Sequence, residues 1–141
     1  MKKIFLSSDH AGYKLKEHIK LHLDKKKIKY RDLGPFSDDK VDYPDYAHKV
    51  AKKVKVNKNH VGILICGSGM GMNIAANRHK NIRAAQCFNL KSTKLSRLHN
   101  DANIITLGSR LLSKNNALKC INIFLSTKFE GGRHTKRIKK I

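Results

Sequence analysis

Apolar positions in the 141-residue chain fall into two kinds of run. Short, dense runs of about five residues read as buried strands: Lys3–Ser7, Ile28–Leu33, Val61–Ile65, Ile82–Cys87 and Ala102–Leu107. Longer stretches between them carry helical spacing. Leu15, Ile19 and Leu23 stand at i, i+4, i+8 within Gly12–Lys26. Asp42-Tyr-Pro-Asp-Tyr46 opens a helix with Pro44 in its first turn and Tyr46, Val50 and Val54 on one face. Met70–Arg78, Ser92–Asn100 and Asn115–Leu125 are also expected to be helical, the last with Ala117, Ile121 and Phe124/Leu125 inward. Strands alternating with helices predict βαβ units: a sheet of five strands, mostly parallel, covered on both faces. No repeat or linker divides the chain, so one domain over residues 1–141 is expected, ending in a basic tail, 128–141.

In such sheets ligands bind beyond the carboxyl ends of the strands. That rule directs attention to Ser8-Asp9-His10, to Cys66–Gly71 and to Gly108-Ser-Arg110. The middle segment is the richest. Gly67, Gly69 and Gly71 form GxGxG, and Met72 stands where a dinucleotide fingerprint needs its third glycine. No acidic residue ends the next strand to hold a ribose hydroxyl, and no Gly-Lys-Ser/Thr follows, so a nucleotide site is disfavoured. The loop keeps the physics of an anion cradle, because glycines bare backbone N–H groups and a helix begins near Met70. A thiolate beside such a helix start is stabilised, which makes Cys66 a candidate reactive group. Cys87, in an apolar strand, and Cys120, on a helix among Leu118 and Ile121, read as core residues.

The polar constellations are weaker singly. Asp9 can cap the first helix, and His99-Asn100-Asp101 can be an ordinary turn. Arg133 and Arg137 share a helix face at i, i+4, although a basic terminus is often disordered.

Composition narrows the classes. The net charge is +21, but the 31 basic residues include only seven arginines, and the lysines are spread along the chain. Aromatics are 6%, with no tryptophan, and no recognition-helix pattern occurs, so a nucleic-acid-binding role is disfavoured. Three odd, scattered cysteines make neither a disulfide framework nor a zinc motif. No stretch has the roughly 20 apolar residues of a membrane span, and the apolar run after Lys2-Lys3 is too short for a secretion signal. A cytoplasmic enzyme is expected.

Read together, Ser8-Asp-His-Ala-Gly12, Asp42-Tyr-Pro-Asp-Tyr-Ala47, ILICGSGMG with IAAN, Leu95–Asn103, Leu107-Gly-Ser-Arg110 and Phe129-Glu-Gly-Gly-Arg-His134 with Arg137 resemble the type B ribose-5-phosphate isomerases. That family is shared with the galactose-6-phosphate isomerase subunits. The resemblance spans nearly the whole chain, in order. It implies a metal-free, cofactor-free aldose–ketose isomerase on a Rossmann-like three-layer α/β/α sandwich. It also implies a homo-oligomer, dimer or tetramer, with active sites shared between subunits. Cys66 corresponds to the base that moves a proton between C2 and C1 of the opened sugar. Gly67, Ser68, Gly69, Met70 and Gly71 would hold the enediolate, with Ser68 assisting. His99 corresponds to the group that opens the furanose ring. Asp9, His10, Tyr43 and Asn100 would line the cleft, and Arg110, Arg133 and Arg137, with His134, would grip the phosphate. Some relatives use a glutamate at the position of Met72; methionine cannot act as a base, so that role falls to Cys66. Ribose 5-phosphate is the expected substrate, with allose 6-phosphate and galactose 6-phosphate as alternatives.

Overall fold

The computed structural model describes residues 2–141. The elements run β1 (Lys3–Ser8), α1 (Tyr13–Lys25), β2 (Tyr30–Asp32), α2 (Tyr43–Val54), β3 (His60–Cys66), α3 (Met70–Asn77), β4 (Ala84–Gln86), α4 (Leu90–Asn100), β5 (Ile104–Gly108), α5 (Lys114–Ser126) and α6 (Arg133–Ile138). The five strands form one sheet in the order β2-β1-β3-β5-β4. Every pairing is parallel, so the sheet is more uniform than the mostly parallel one expected.

Alternation along each strand sorts the apolar side chains into two cores. Ile63 and Ile65 face a cluster built with Leu15, Ile19 and Leu23 of α1 and Ala117, Ile121 and Phe124 of α5. Leu64 and Cys66 face the opposite cluster, with Val50 and Val54 of α2 and Met72, Ala75 and Ala76 of α3. These are the three layers of a Rossmann-like α/β/α sandwich.

Most element boundaries shift by a residue or two from the sequence expectation, and three starts and one cap have a clear local reason. Strand β2 starts late because Ile28 donates its N–H to Leu23 O, extending the turn after α1. Strand β4 starts at Ala84 because the N–H of Ile82 is held by His79 O and that of Arg83 by Asn103 Oδ1. Helix α4 starts two residues earlier than expected. Asn89 Oδ1 accepts from Ser92 N at 2.7 Å, and the Ser92 hydroxyl in turn accepts from Asn89 N at 3.3 Å. Asp9 does not cap α1 directly. It accepts from Gly12 N at 2.9 Å, in the turn that precedes Tyr13.

Register fixes what lies at each end of the sheet. Ser8 pairs with Ile65 and Cys66 with Gly108, so the loops after β1, β3 and β5 leave at one level. Lys3 pairs with His60 at the opposite, amino edge. Successive strands lie to opposite sides of the β1–β3 pair, which makes their carboxyl ends the topological switch point.

Candidate active site

At the switch point Asp9, Tyr43, Cys66, Gly67, Ser68, Gly71, Arg110 and Leu111 line a cavity of about 300 Å³. The backbone ties the three loops together. Asp9 N–H donates to Ile65 O at 3.1 Å, Ser109 N–H to Cys66 O at 2.8 Å, and Arg110 N–H to Gly67 O at 3.0 Å. Gln86 donates from Nε2 to Ser68 O at 2.9 Å, bracing the glycine loop from the edge strand.

Cys66 is buried at the last position of β3. Its Sγ accepts the N–H of Gly69 at 3.1 Å. Gly69 is the N-cap of α3 with φ +79°, a conformation that costs a side chain about 1 kcal/mol or more. A Cβ on Gly71 would stand 2.5 Å from the Tyr43 ring, and one on Gly67 would stand 2.8 Å from Arg110 Nη1. The absent side chains therefore let Tyr43 and Arg110 close over the loop. Met70 is exposed at the start of α3, whereas Met72 is fully buried in the core. The Ser68 hydroxyl accepts from Met70 N at 3.2 Å. His10 accepts the N–H of Val41 on Nδ1 at 3.3 Å, which leaves Nε2 as the donor of the neutral ring.

The remaining candidates sit elsewhere. Helix α4 starts beyond the carboxyl end of β4 and ends just before β5, so His99 and Asn100 lie at the amino edge. Ten helical residues span about 15 Å, which separates His99 from the Cys66 end of its own sheet. The tail that follows α5 docks there too. Glu130 N–H donates to Leu98 O at 3.1 Å, and the ring of His134 stacks on His99, centroids 4.3 Å apart. Arg133 and Arg137 stand exposed on α6 beside this stack. The tail is thus an ordered helix in place of a disordered end.

Within one chain, then, two candidate half-sites lie at opposite edges of the sheet. One holds the thiol, the amide donors and Arg110. The other holds His99, Asn100, Arg133, His134 and Arg137.

Three further residues bear on these half-sites. Glu130 places Oε2 3.9 Å from His99 Nε2 and 3.5 Å from His134 Nε2. Gln86 braces the loop, a contact no local pattern announces. Ser8, one residue before Asp9, has a fully buried hydroxyl with no hydrogen-bond partner among the described residues. Its place at a strand's carboxyl end was the available signal.

Fold and site together define a doubly wound α/β protein with its ligand crevice at the switch point. Residues 4–141 match the family described as Ribose/Galactose Isomerase. A ribose 5-phosphate isomerase from Thermotoga maritima shares 48% identity at TM-score 0.95, covering 99% of this chain and 96% of that one. Ribose-5-phosphate isomerase B from Mycoplasma genitalium, solved with bound ribulose-5-phosphate, shares 45% at TM-score 0.94, covering 98% and 92%. Ribose-5-phosphate isomerase B of Escherichia coli K12 is 42% identical over 141 residues, all of this chain and 95% of that protein. The chain belongs to the ribose/galactose isomerase family.

Proposed function

We propose that this chain interconverts ribose 5-phosphate and ribulose 5-phosphate, as a cytoplasmic homo-oligomer whose active sites each combine two half-sites. The observation that carries the reading is the Cys66 thiol under the Gly69 amide, in a crevice with Asp9 and Arg110.

The chemistry needs three things. A proton α to a carbonyl must be taken and returned one carbon away, which calls for a positioned base. The Cys66 thiolate removes it from C2 and the thiol returns it to C1, while the hydroxyl proton of O2 passes to O1 through the enediol. The oxygen that gains charge in the enediolate must meet preorganised donors. The N–H groups of the glycine loop, with the Ser68 hydroxyl, supply them. The cyclic sugar must also be opened, which asks for a group that can give and take a proton at the ring oxygen. His99, at the amino edge, suits that step only if a second copy of the chain brings it to the Cys66 crevice. Arg133, Arg137 and His134 arrive with it, and with Arg110 they surround the phosphate. Asp9, His10, Tyr43 and Asn100 orient the hydroxyls. Residues 128–141 thereby serve as a substrate-binding tail of one domain. The +21 charge is then a general attraction for anionic substrate, with no nucleic-acid partner required.

A turnover assay on the purified chain with excess chelator tests this reading, using ribose 5-phosphate, allose 6-phosphate and galactose 6-phosphate side by side. Ribose 5-phosphate is expected to give the highest kcat/KM. A preference for either six-carbon sugar reassigns the substrate, and turnover of none of them overturns the reading.

A further inference from the structure

We propose that His99, Glu130 and His134 form a binding site for a divalent transition-metal ion of the Zn²⁺ class, and that the ion held there inhibits the enzyme. The inhibitory half rests on the function proposed above; the binding half does not.

The ligand atoms of these three side chains all lie within 4.8 Å of one another. Two imidazoles and one carboxylate are a recognised zinc set that leaves a fourth position open. Bonds of about 2.0–2.1 Å place tetrahedral ligands about 3.3 Å apart. The two nitrogen-to-Oε2 distances are 3.5 and 3.9 Å, and the two rings, now stacked 16° from parallel, must open so that both lone pairs meet one ion. Much of that adjustment falls to His99, whose side chain is 37% exposed and free to tilt out of the stack.

A second, independent observation points to a ligand. His134 is buried, and its Nε2 has no hydrogen-bond partner among the described residues, although it faces the Glu130 carboxylate. A buried ring nitrogen left in this way carries an unmet desolvation cost. A cation between it and Glu130 would meet that cost. Glu130 is one of only ten acidic residues in the chain, which sets it apart from a generic charged surface. Arg133 and Arg137 stand against the cation, and Glu130 offsets them in part.

The consequence follows from the ligands. A metal on His99 Nε2 removes the lone pair needed for proton exchange at the ring oxygen. It also occupies the space between the tail arginines and α4. Metal and sugar phosphate exclude each other there, so the ion competes with substrate.

The test uses the full chain, stripped with chelator and then titrated with Zn²⁺ by calorimetry and with Co²⁺ by absorption, for wild type, Glu130→Gln and Cys66→Ser. One equivalent per chain should bind, survive in Cys66→Ser and show no thiolate-to-cobalt charge transfer. Glu130→Gln should weaken it at least tenfold. Loss in Cys66→Ser with retention in Glu130→Gln would place the metal on the active-site thiol and overturn the site, as would no binding in wild type. In turnover, Zn²⁺ should raise the apparent KM of wild type reversibly, with Glu130→Gln resistant. Binding without inhibition overturns the inhibitory half. An enzyme silent on every sugar phosphate condemns the proposed function and leaves the binding result standing.

Discussion

The two edges of the sheet are built by opposite strategies. At the carboxyl edge the half-site is made of loops that leave neighbouring strands at one level, cross-tied by backbone hydrogen bonds. Its key group, Cys66, is buried and already holds an amide donor. At the amino edge the half-site is assembled from remote segments, the end of α4 and the tail after α5. Its cations stand out in solvent. On the function proposed above, the first is the place for chemistry and the second a set of anchors, separated by the fold and brought together by assembly.

The sharpest break in this comparison is Cys66→Ala. It should lower kcat roughly 10³-fold, the typical worth of a positioned general base. Circular dichroism should be unchanged, because the side chain lost is small. Full activity in this variant would move the chemistry away from the carboxyl edge.

A stability counterpart sits at the same edge but outside the crevice. Lys16 is fully buried and bonds Asp32 Oδ1 at 2.8 Å. Burial pushes the Asp32 carboxyl up, but bonds from Lys16, Gly34 N–H and Lys20 outweigh it and hold Asp32 below its usual range. A depressed folded pKa stabilises the fold above the unfolded value of about 4, and the contribution fades as pH falls through the folded pKa. Asp32→Asn leaves Lys16 charged and buried, so it should cost about 3–5 kcal/mol at neutral pH. Denaturant titration at several pH values checks this: the gap to wild type should close below about pH 4. A gap independent of pH would assign the loss to packing.

Arg110→Ala and Arg137→Ala compare the edges directly. If both grip the phosphate as proposed, each substitution should raise KM about tenfold with little change in kcat. An effect from Arg110 alone would leave the amino edge out of the site.

What the sequence made legible divides along the same line. The carboxyl edge could be read because strand ends and glycine loops are local signals: Asp9, Cys66 and Arg110 fell where the strand rule put them. Met72 was read as unable to act as a base from its side chain alone; it lies buried in the core. The amino edge was grouped with the rest only through family resemblance. Spacing could show that Arg133 and Arg137 share a face, but not that α6 docks on α4. That docking depends on the stack of His99 on His134, 35 residues apart in sequence. The strand limits of β2 and β4 were overread because apolar residues at Ile28 and Ile82 serve turns rather than ladders. The bracing of Ser68 by Gln86 was invisible for the same reason: the partners meet only once the sheet exists.

The smallest expected effect discriminates most. Cys66→Ala and His99→Asn chains should each be nearly inactive alone. If every active site takes Cys66 from one chain and His99 from another, co-refolding equal amounts lets heterodimers regain one intact site of two. With random C₂ pairing half the dimers are mixed, so activity should return to roughly a quarter of wild type. The two variants carry their defects at opposite edges of the fold, so neither should perturb the other's half-site. Were Cys66 and His99 to serve the same site within one chain, no mixture could contain an intact site, and activity would stay at the level of the singles. Recovery therefore measures directly whether the two edges meet across a subunit boundary.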